Sequence, residues 1–366
     1  MKTCFARPAG AGNGGLRMPQ PLRGWGIPGV IGKKGGCAMK TILVAGGAGY
    51  IGSHMTALLV EKGYDVVVAD NLCTGHWQAV KGAKLRVGDV RDAAFLDRVF
   101  TEDRIDGVIN FAAFSLVGES VTDPLKYYGN NVAGAQSMLT AMKNHRVDKI
   151  VFSSTAATYG EPEKQPIEET DRTDPTNPYG ASKLAIEGML KWCGRAYGIR
   201  YAALRYFNAA GANTDVGIGE DHSPETHLIP LVLKTALGQR EHIGIFGEDY
   251  PTADGTCIRD YIHVRDLAEA HLLALEHLGR GGESGVFNLG SGDGFSVREI
   301  IDTARKVTGK PIPAKAEPRR AGDPSVLVAS NRKAREVLGW APRRGLEEIL
   351  SDAWVWHQSH PEGYGN

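Results

Sequence analysis

The feature that most constrains the fold is a short apolar run that leads directly into a glycine-rich turn. The run Thr41–Ala45 precedes the segment Gly46–Gly52, which reads GGAGYIG, and Met55, Leu58 and Leu59 then recur at helical spacing. This pattern predicts a buried strand, a tight turn and a helix. Backbone N–H groups at such a helix N-terminus can bind the pyrophosphate of a dinucleotide. A glycine-rich strand–helix junction that binds no ligand is the alternative interpretation.

Apolar runs alternate with helical patterns over the next 160 residues, which is typical of a parallel sheet covered by helices. The predicted strands cover 41–45, 65–69, 84–87, 107–111, 149–153 and 200–206. The predicted helices cover 50–62, 93–103, 125–145 and 179–196. The fold class predicted is α/β, a Rossmann-type doubly wound parallel sheet over residues 39–208. A smaller α/β substrate-binding domain is predicted over 209–366, of which 258–278 packs back on the first domain.

Residues 1–38 differ in composition from the rest of the chain. They contain six Lys or Arg, no acidic residue and no apolar run long enough for a secretory signal. The segment is therefore predicted to be a disordered Gly/Pro/Arg-rich leader, with Met39 as the functional start.

Charge and cysteine usage exclude several functions. The 366 residues carry 42 basic and 42 acidic side chains, so neither a nucleic-acid nor an anionic-membrane partner is indicated. The five Cys are an odd number without C-x-x-C spacing, as expected for reduced thiols in the cytoplasm. No apolar run approaches the about 18 residues of a membrane span. The eleven His form no H-E-x-x-H set, so no metal is predicted.

A second motif provides candidate catalytic groups. Tyr179 and Lys183 are four residues apart on a predicted helix, so they lie on one face of it. A phenol near a nicotinamide ring can act as acid and base between an alcohol and a ketone, and an ammonium would stabilise its phenolate. Thr155 follows a predicted strand at the edge where ligand crevices form, and its hydroxyl could relay the proton. An amphipathic helix and a strand-end hydroxyl are the corresponding structural interpretations.

Two carboxylates are candidates for cofactor contacts. Asp70 ends the second predicted strand, 18 residues after Gly52, where a carboxylate accepts hydrogen bonds from the adenosine ribose and repels a 2′-phosphate. This position favours NAD over NADP. Asp89 and Val90 follow the third strand, where such folds hold the adenine edge.

Together the glycine turn and the Tyr-x-x-x-Lys pair resemble the extended short-chain dehydrogenases/reductases. From residue 39 onward the chain is similar to the UDP-glucose 4-epimerase family. The stretches that carry the similarity are Gly46–His54, Asp70–Leu72, Val117–Ser120, Asn130–Val132, Arg205–Asn208, Ile245–Gly247, Asp249–Thr256, Arg259–Val264, Arg319–Asp323 and His360–Tyr364. The resemblance implies C4 epimerisation of UDP-glucose and UDP-galactose through a 4-keto intermediate, with a tightly bound NAD, in a homodimer.

The resemblance also implies site residues. Catalysis falls to Tyr179, Lys183 and Thr155. The implied NAD contacts are Gly46, Gly49, Tyr50, Ile51, Gly52, Asp70, Asn71, Leu72, Asp89, Val90, Phe111, Ala112, Ala113, Ser115, Asn130, Tyr179, Lys183 and Phe207. The implied contacts of the nucleotide sugar are Thr155, Tyr179, Asn208, Leu228, Gly244, Phe246, Arg259, Arg320, Asp323 and Leu327. Leu327 stands where the family's pocket meets the sugar's C2 substituent.

The chain departs from the best-known members at three positions. Thr155 replaces a Ser but keeps the hydroxyl. Ser115 replaces a Lys near the NAD phosphate, and His227 replaces an Asn beside the uridine site.

Three alternatives remain. A 4-epimerase of UDP-N-acetylglucosamine or of UDP-xylose/arabinose would share these motifs. A dehydratase would carry Asp-Glu after the Thr, where this chain has Ala156 and Ala157. A non-catalytic NAD sensor would have lost Tyr179 or Lys183.

Overall fold

The computed structural model describes residues 39–320 and 323–365. The predicted leader, residues 1–38, lies outside the described residues. The strands are β1 Thr41–Ala45, β2 Asp65–Asp70, β3 Lys84–Val87, β4 Gly107–Asn110, β5 Lys149–Ser153, β6 Arg200–Arg205, β7 Asn208–Ala210, β8 Ile243–Phe246, β9 Ile258–Arg259, β10 Tyr261–His263, β11 Gly285–Asn288, β12 Phe295–Ser296, β13 Ala314–Glu317 and β14 Val326–Leu327.

The α-helices are α1 Tyr50–Glu61, α2 Ala93–Asp103, α3 Val117–Thr122, α4 Pro124–Tyr127, α5 Ala133–His145, α6 Pro178–Tyr197, α7 Leu228–Ala236, α8 Val264–Gly279, α9 Val297–Thr308 and α10 Leu346–Ser359. Within the described ranges, no helix is both long and apolar enough to cross a membrane.

A seven-stranded sheet forms the centre of the structure, and all of its strands are parallel. Its order is β3-β2-β1-β4-β5-β6-β11. Strand order reverses between β1 and β4, and ligands of such sheets bind in the crevice beyond the carboxyl ends of the strands at that point. The predicted Rossmann-type α/β fold is confirmed.

Both faces of the sheet are buried because side chains alternate along each strand. On β1, Ile42 and Val44 pack on the face covered by α1 and α8. Leu43 and Ala45 point to the opposite face, which α2, α5 and α6 cover. The strands therefore read in the sequence as nearly continuous apolar runs.

Smaller elements surround the crevice. A third apolar cluster joins α7, α9 and α10 with β8. Three short sheets, β10-β7, β12-β9-β14 and β13-β8, carry residues predicted to contact the nucleotide sugar. The predicted domain boundary at residue 208 stays a prediction.

The helix predicted over 125–145 is interrupted. After α4 the chain forms a π-helix at Tyr128–Val132 and only then continues as α5. Asn131, in this π-turn, accepts a hydrogen bond from the Phe114 N–H at 2.8 Å and donates one to the Phe114 carbonyl at 3.1 Å. The extra residue in the turn thus places an amide against the loop that follows β4, and such π-turns are frequent at functional sites.

Candidate active site

The glycine turn begins where β1 ends. Gly46 has φ +75°, and a Cβ there would lie 2.7 Å from the Ala112 backbone nitrogen. A Cβ on Gly52 would lie 2.1 Å from the Gly46 carbonyl oxygen. Both positions therefore require glycine. α1 starts at Tyr50 with Gly49 as its N-cap, and the N–H groups of a first helical turn are directed away from the helix toward an anion.

Tyr50 and Ile51, the first two residues of α1, fix the turn to the rest of the structure. The Tyr50 hydroxyl donates a hydrogen bond to the Gly211 carbonyl at 2.7 Å. Ile51 packs against the apolar cluster that includes α8.

Asp70 lies beside the glycine turn, at the end of β2. Its carboxylate accepts hydrogen bonds from the Ala48 N–H at 3.0 Å and from the Leu72 N–H at 2.8 Å. Burial raises the pKa of this carboxyl. Leu72 adopts φ +59°, so the chain turns sharply there. Each carboxylate oxygen has a second lone pair, and Asp70 can therefore hold the loop and still accept a ribose hydroxyl.

Asp89 belongs to a polar group at the next strand end. Arg91 donates to it through Nε at 2.9 Å and Nη2 at 2.7 Å, and these bonds lower the pKa of Asp89 to about 2. Asn71 donates to the same carboxylate at 3.3 Å. Val90 packs on the core beside Gly134. The contact between Arg91 and Asp89 was not predicted from the sequence, although the two residues are only two positions apart.

The loop after β4 lies directly on the glycine turn. Phe111 donates its N–H to the Ala45 carbonyl at 2.8 Å, and the Ala112 backbone fills the space that Gly46 leaves. Asn130 donates to Asn131 at 3.1 Å. The remaining predicted residues of this loop are the half-buried Ala113 and the exposed Ser115.

The three predicted catalytic residues come from two elements. Thr155 is buried at the N-cap of a 3₁₀-helix, Ala156–Tyr159, where its Oγ1 accepts the Ala157 N–H at 3.1 Å. α6 carries Tyr179 and Lys183. Its N-cap, Asn177, accepts the Gly180 N–H at 2.9 Å, and Pro178 pre-forms the first turn.

Burial dominates the electrostatics of this group. It raises the pKa of the Tyr179 phenol, and a hydrogen bond with the Thr155 side chain opposes that change. Burial lowers the pKa of Lys183 to about 7, against the attraction of the Glu187 carboxylate. Lys183 Nζ donates to the Ser153 carbonyl at 2.8 Å and lies 5.9 Å from the centre of the Tyr179 ring.

Glu187 lies one helical turn beyond Lys183 and forms a buried ion pair. The Arg205 Nη2 donates to it at 2.5 Å and the Arg205 Nε at 2.9 Å. Ser154 also donates to Glu187, at 2.5 Å. This ion pair was not predicted from the sequence. The four-residue spacing from Lys183 was the available signal, but the partner lies on β6.

Near Thr155, Phe207, which was predicted to contact NAD, meets residues predicted to contact the sugar. Phe207 and Leu327 pack on the small apolar cluster of Ala156, Tyr159 and Ile167. Leu327 is also paired with Arg259 across β14 and β9. The Arg259 Nη2 donates to Asp323, and its Nη1 donates to the Ile258 carbonyl at 2.7 Å. Asn208 on β7 donates its side-chain amide to the Asp260 carbonyl at 2.9 Å.

Four further predicted residues occupy neighbouring elements. The Arg320 guanidinium lies 3.9 Å from the centre of the exposed Phe246 ring. Gly244 is on the same strand, β8, where a Cβ would lie 3.4 Å from that ring. Leu228 begins α7. The Arg320 guanidinium stacked on the Phe246 ring and the Arg259 guanidinium are groups that suit a nucleoside diphosphate, because cations bind its phosphates and an aromatic ring can contact its base.

The fold and the glycine turn are those of a nucleotide-dependent enzyme, and comparison with known proteins identifies the family. The model of the NAD dependent epimerase/dehydratase family matches residues 42–290. The chain therefore belongs to that family.

Within it, the chain is 60% identical over 324 residues to UDP-glucose 4-epimerase of Halalkalibacterium halodurans, covering 88% of this chain and 97% of the relative. A crystal structure of UDP-glucose 4-epimerase matches with a TM-score of 0.88 and 58% identity, over 89% of this chain and 100% of the other. UDP-glucose 4-epimerase from Brucella ovis, in complex with NAD, matches with a TM-score of 0.85 and 48% identity, over 86% and 98%. These comparisons confirm the predicted resemblance, the isomerase class, C4 epimerisation and NAD as the cofactor.

Proposed function

We propose that the chain interconverts UDP-glucose and UDP-galactose, with Tyr179, Lys183 and Thr155 as its catalytic residues. The observation that carries the residue assignment is their placement. The Thr155 side chain acts on the Tyr179 phenol and lowers its pKa, and Lys183 lies on the same helix face as Tyr179, at the carboxyl-end edge of the sheet that also holds the glycine turn.

The residues around the turn fit a dinucleotide. The absence of a side chain at Gly46 and Gly52 lets the backbone approach a pyrophosphate, and Asp70 is placed to accept ribose hydroxyls. Asn71 and Asp89 border the adenosine side. When bound, NAD would supply a hydride acceptor for the sugar C4, and its oxidised nicotinamide would bring a positive charge to the site.

Tyr179 is assigned as the base that removes the proton of the sugar 4-hydroxyl, and later as the acid that returns it. Since burial raises its pKa, the phenol needs stabilisation of its charged form. Thr155 stabilises the phenolate through its hydroxyl, and Lys183 stabilises it whenever the lysine amine is protonated. Hydride leaves C4 as the proton leaves the oxygen, which gives a 4-keto sugar.

Epimerisation requires that the keto sugar rotate between the two hydride transfers, so that it presents its opposite face, while the nucleotide stays bound. Arg259 and Arg320 are assigned to the diphosphate, because their guanidinium groups provide fixed hydrogen-bond donors. Asp323 holds Arg259 in place. Asn208, Leu228, Gly244 and Phe246 are assigned to the uridine diphosphate as well.

One assay tests the proposal against its rivals. The purified protein is incubated with UDP-galactose, and the products are separated and identified. UDP-glucose as the product, formed without net change in the oxidation state of the cofactor, supports the proposal. A 4-keto-6-deoxy sugar would indicate a dehydratase. That outcome is disfavoured because Ala156 and Ala157, which have no acid/base group, follow Thr155. No turnover despite bound NAD would indicate a sensor.

Leu327 suggests the range of substrates. It packs beside Phe207 and the residues that follow Thr155, so it lies close to the assigned sugar site. Discrimination by pocket volume alone is worth about 1–3 kcal/mol, or roughly 10- to 200-fold. We therefore expect weak but measurable turnover of UDP-N-acetylglucosamine. Leu327→Tyr should reduce this activity more than the activity on UDP-glucose. Equal kcat/KM on both pairs in the parent would contradict this assignment.

A homodimer in the cytoplasm is proposed as the state in which the enzyme works. Leu139, Met142 and Leu190, apolar residues of the long helices predicted over 125–145 and 179–196, are buried within the protomer and do not support an interface. Support comes instead from apolar side chains exposed on α3, α4 and α6, which include Val121 at 61%, Leu125 at 81% and Trp192 at 64%. Light scattering at micromolar concentration would contradict the proposal if it gave the mass of a monomer.

Deleting residues 1–38 should leave activity unchanged.

A further inference from the structure

The loop that precedes α7 contains four side chains that the assigned reaction does not use. Glu220, His222, Glu225 and His227 direct their ligand atoms toward one another, and all of these atoms lie within 4.8 Å. The Nδ1 atom of His227 is 2.9 Å from Glu220 Oε1 and 3.0 Å from Glu225 Oε1. The Nδ1 atom of His222 is 3.1 Å from Glu220 Oε1 and 3.7 Å from Glu225 Oε2.

These distances are close to those between the ligand atoms of a tetrahedral metal ion. Zinc binds imidazole nitrogen and carboxylate oxygen at about 2.0–2.2 Å, so neighbouring ligand atoms of a tetrahedral site are roughly 3.3–3.6 Å apart. Three of the measured separations, 2.9, 3.0 and 3.1 Å, are shorter than that range, and the fourth, 3.7 Å, which involves the other Glu225 oxygen, is slightly longer. An ion between the four groups would therefore require only small side-chain shifts.

The cluster also contains two buried carboxylates, which supply negative charge for a cation. The side chains of Glu220 and Glu225 are 5% and 4% exposed. In the part of the chain that the structure describes, their ion-pair partners are only His222 and His227. Each Nδ1 faces both carboxylates, whereas one N–H group can point well at only one acceptor. A central ion contacts all four groups at once.

We propose that Glu220, His222, Glu225 and His227 bind one divalent cation with zinc-like coordination. All four positions are taken by protein, as in structural rather than catalytic zinc sites. The two imidazoles are 28% and 44% exposed, which gives an ion a route from solvent. The prediction of no metal relied on the spacing of a helical motif, which does not apply to an eight-residue loop.

The position of the cluster defines what the ion does. His227 is the N-cap of α7, and the next residue, Leu228, is assigned to the substrate. The His222 ring lies edge-on to the ring of Tyr50, the first residue of α1, with 6.1 Å between ring centres. Trp356 of α10 donates to the Glu220 carbonyl at 3.0 Å. The ion thus holds a loop that connects the cofactor turn, α7 and α10.

The test measures metal binding without an activity assay. Full-length protein is treated with a chelator and dialysed, then loaded with Zn²⁺ or with Co²⁺, whose visible spectrum reports tetrahedral coordination. The metal-to-protein ratio is measured by inductively coupled plasma mass spectrometry. His222→Ala and His227→Ala remove one ligand each. His145→Ala is the matched control, because that imidazole contacts a single carboxylate, Asp97, at 2.7 Å.

We expect one Zn²⁺ or Co²⁺ per chain, a tetrahedral Co²⁺ spectrum, and a melting temperature that rises with Zn²⁺ in the parent and in His145→Ala. Each ligand variant should bind at least about 100-fold more weakly, the upper end of the loss seen when an outer-shell partner is removed. A parent that binds neither ion stoichiometrically overturns the proposal and leaves a self-neutralised imidazole–carboxylate cluster. Unchanged binding in both ligand variants would also overturn it. The parent's Co²⁺ spectrum decides the matter even if the variants fail to fold.

Discussion

Gly52→Ala should abolish tight NAD binding while leaving most of the fold intact. A Cβ at residue 52 would lie 2.1 Å from the Gly46 carbonyl oxygen and 2.8 Å from the Gly47 Cα, whereas real Cβ atoms essentially never approach below 3.0 Å. Both neighbours are backbone atoms, so no side-chain rotation relieves the overlap. The turn must open by about 0.9 Å to reach even that limit.

The magnitude follows from two opposing effects on stability and one on binding. Overpacking costs about 1–3 kcal/mol, and alanine in place of glycine inside a helix returns up to about 1 kcal/mol. The net loss of stability is therefore modest. A hydrogen bond of about 2.9 Å that is lengthened by 0.9 Å is no longer a hydrogen bond. Losing two bonds to a charged pyrophosphate, at about 1.5–3 kcal/mol each, weakens NAD binding by at least about 100-fold.

The assay compares bound NAD and melting temperature in Gly52→Ala and in a matched control, Gly188→Ala. Gly188 also lies inside a helix, α6, but a Cβ there would meet nothing within 4 Å. The control should keep its NAD and melt no lower than the parent. If Gly52→Ala retains the parent's NAD content and dissociation constant, the assignment of this turn to the pyrophosphate is wrong.

Three further outcomes are expected. Tyr179→Phe should lower kcat by at least about 10²-fold, the low end for removal of a general base, and Thr155→Ala should lower it less; equal losses in steady-state assays would contradict the assigned roles. Because burial lowers the pKa of Lys183 to about 7 while an unfolded lysine stays protonated to about 10.4, the unfolded chain binds more protons between these values and stability rises with pH. The free energy of unfolding in urea should therefore increase by about 3 kcal/mol from pH 7 to 9.5, relative to Lys183→Met; parallel pH dependences would refute this. Glu187→Ala should cost about 3–5 kcal/mol, since it leaves Arg205 buried without its carboxylate partner, and urea denaturation at neutral pH showing a loss below 1 kcal/mol would contradict the buried pair.

The central sheet was predictable because its strands are buried on both faces. Runs such as 41–45 and 149–153 coincide with the buried strands β1 and β5. The interruption at Tyr128–Val132 was not predictable, because the helical periodicity of the surrounding residues continues across it. It depends on Asn131 bonding to Phe114, 17 residues earlier in the chain.

The short strands around the sugar site were also beyond prediction. β9 and β14 have two residues each, which is too short for any periodicity to show, and the residues that pair are 68 apart in sequence. Motif resemblance nevertheless predicted Arg259 and Leu327 as site residues. Their neighbourhood follows from the sheet pairing of β9 and β14, which only the folded chain displays.

Spacing identified Tyr179 and Lys183 but could not give their electrostatics. From their spacing, the Lys183 ammonium is expected to lower the pKa of the Tyr179 phenol directly. In the structure the ammonium bonds to the Ser153 carbonyl, 5.9 Å from the ring centre, and burial raises the pKa of Tyr179 while lowering that of Lys183. Burial acts on both groups because α6 packs them against the sheet. The charged form of either one is therefore disfavoured until a compensating charge is present. The phenol is therefore scarcely ionised in the protein alone, and proton removal depends on the arrival of the cofactor and the sugar rather than on Lys183 alone.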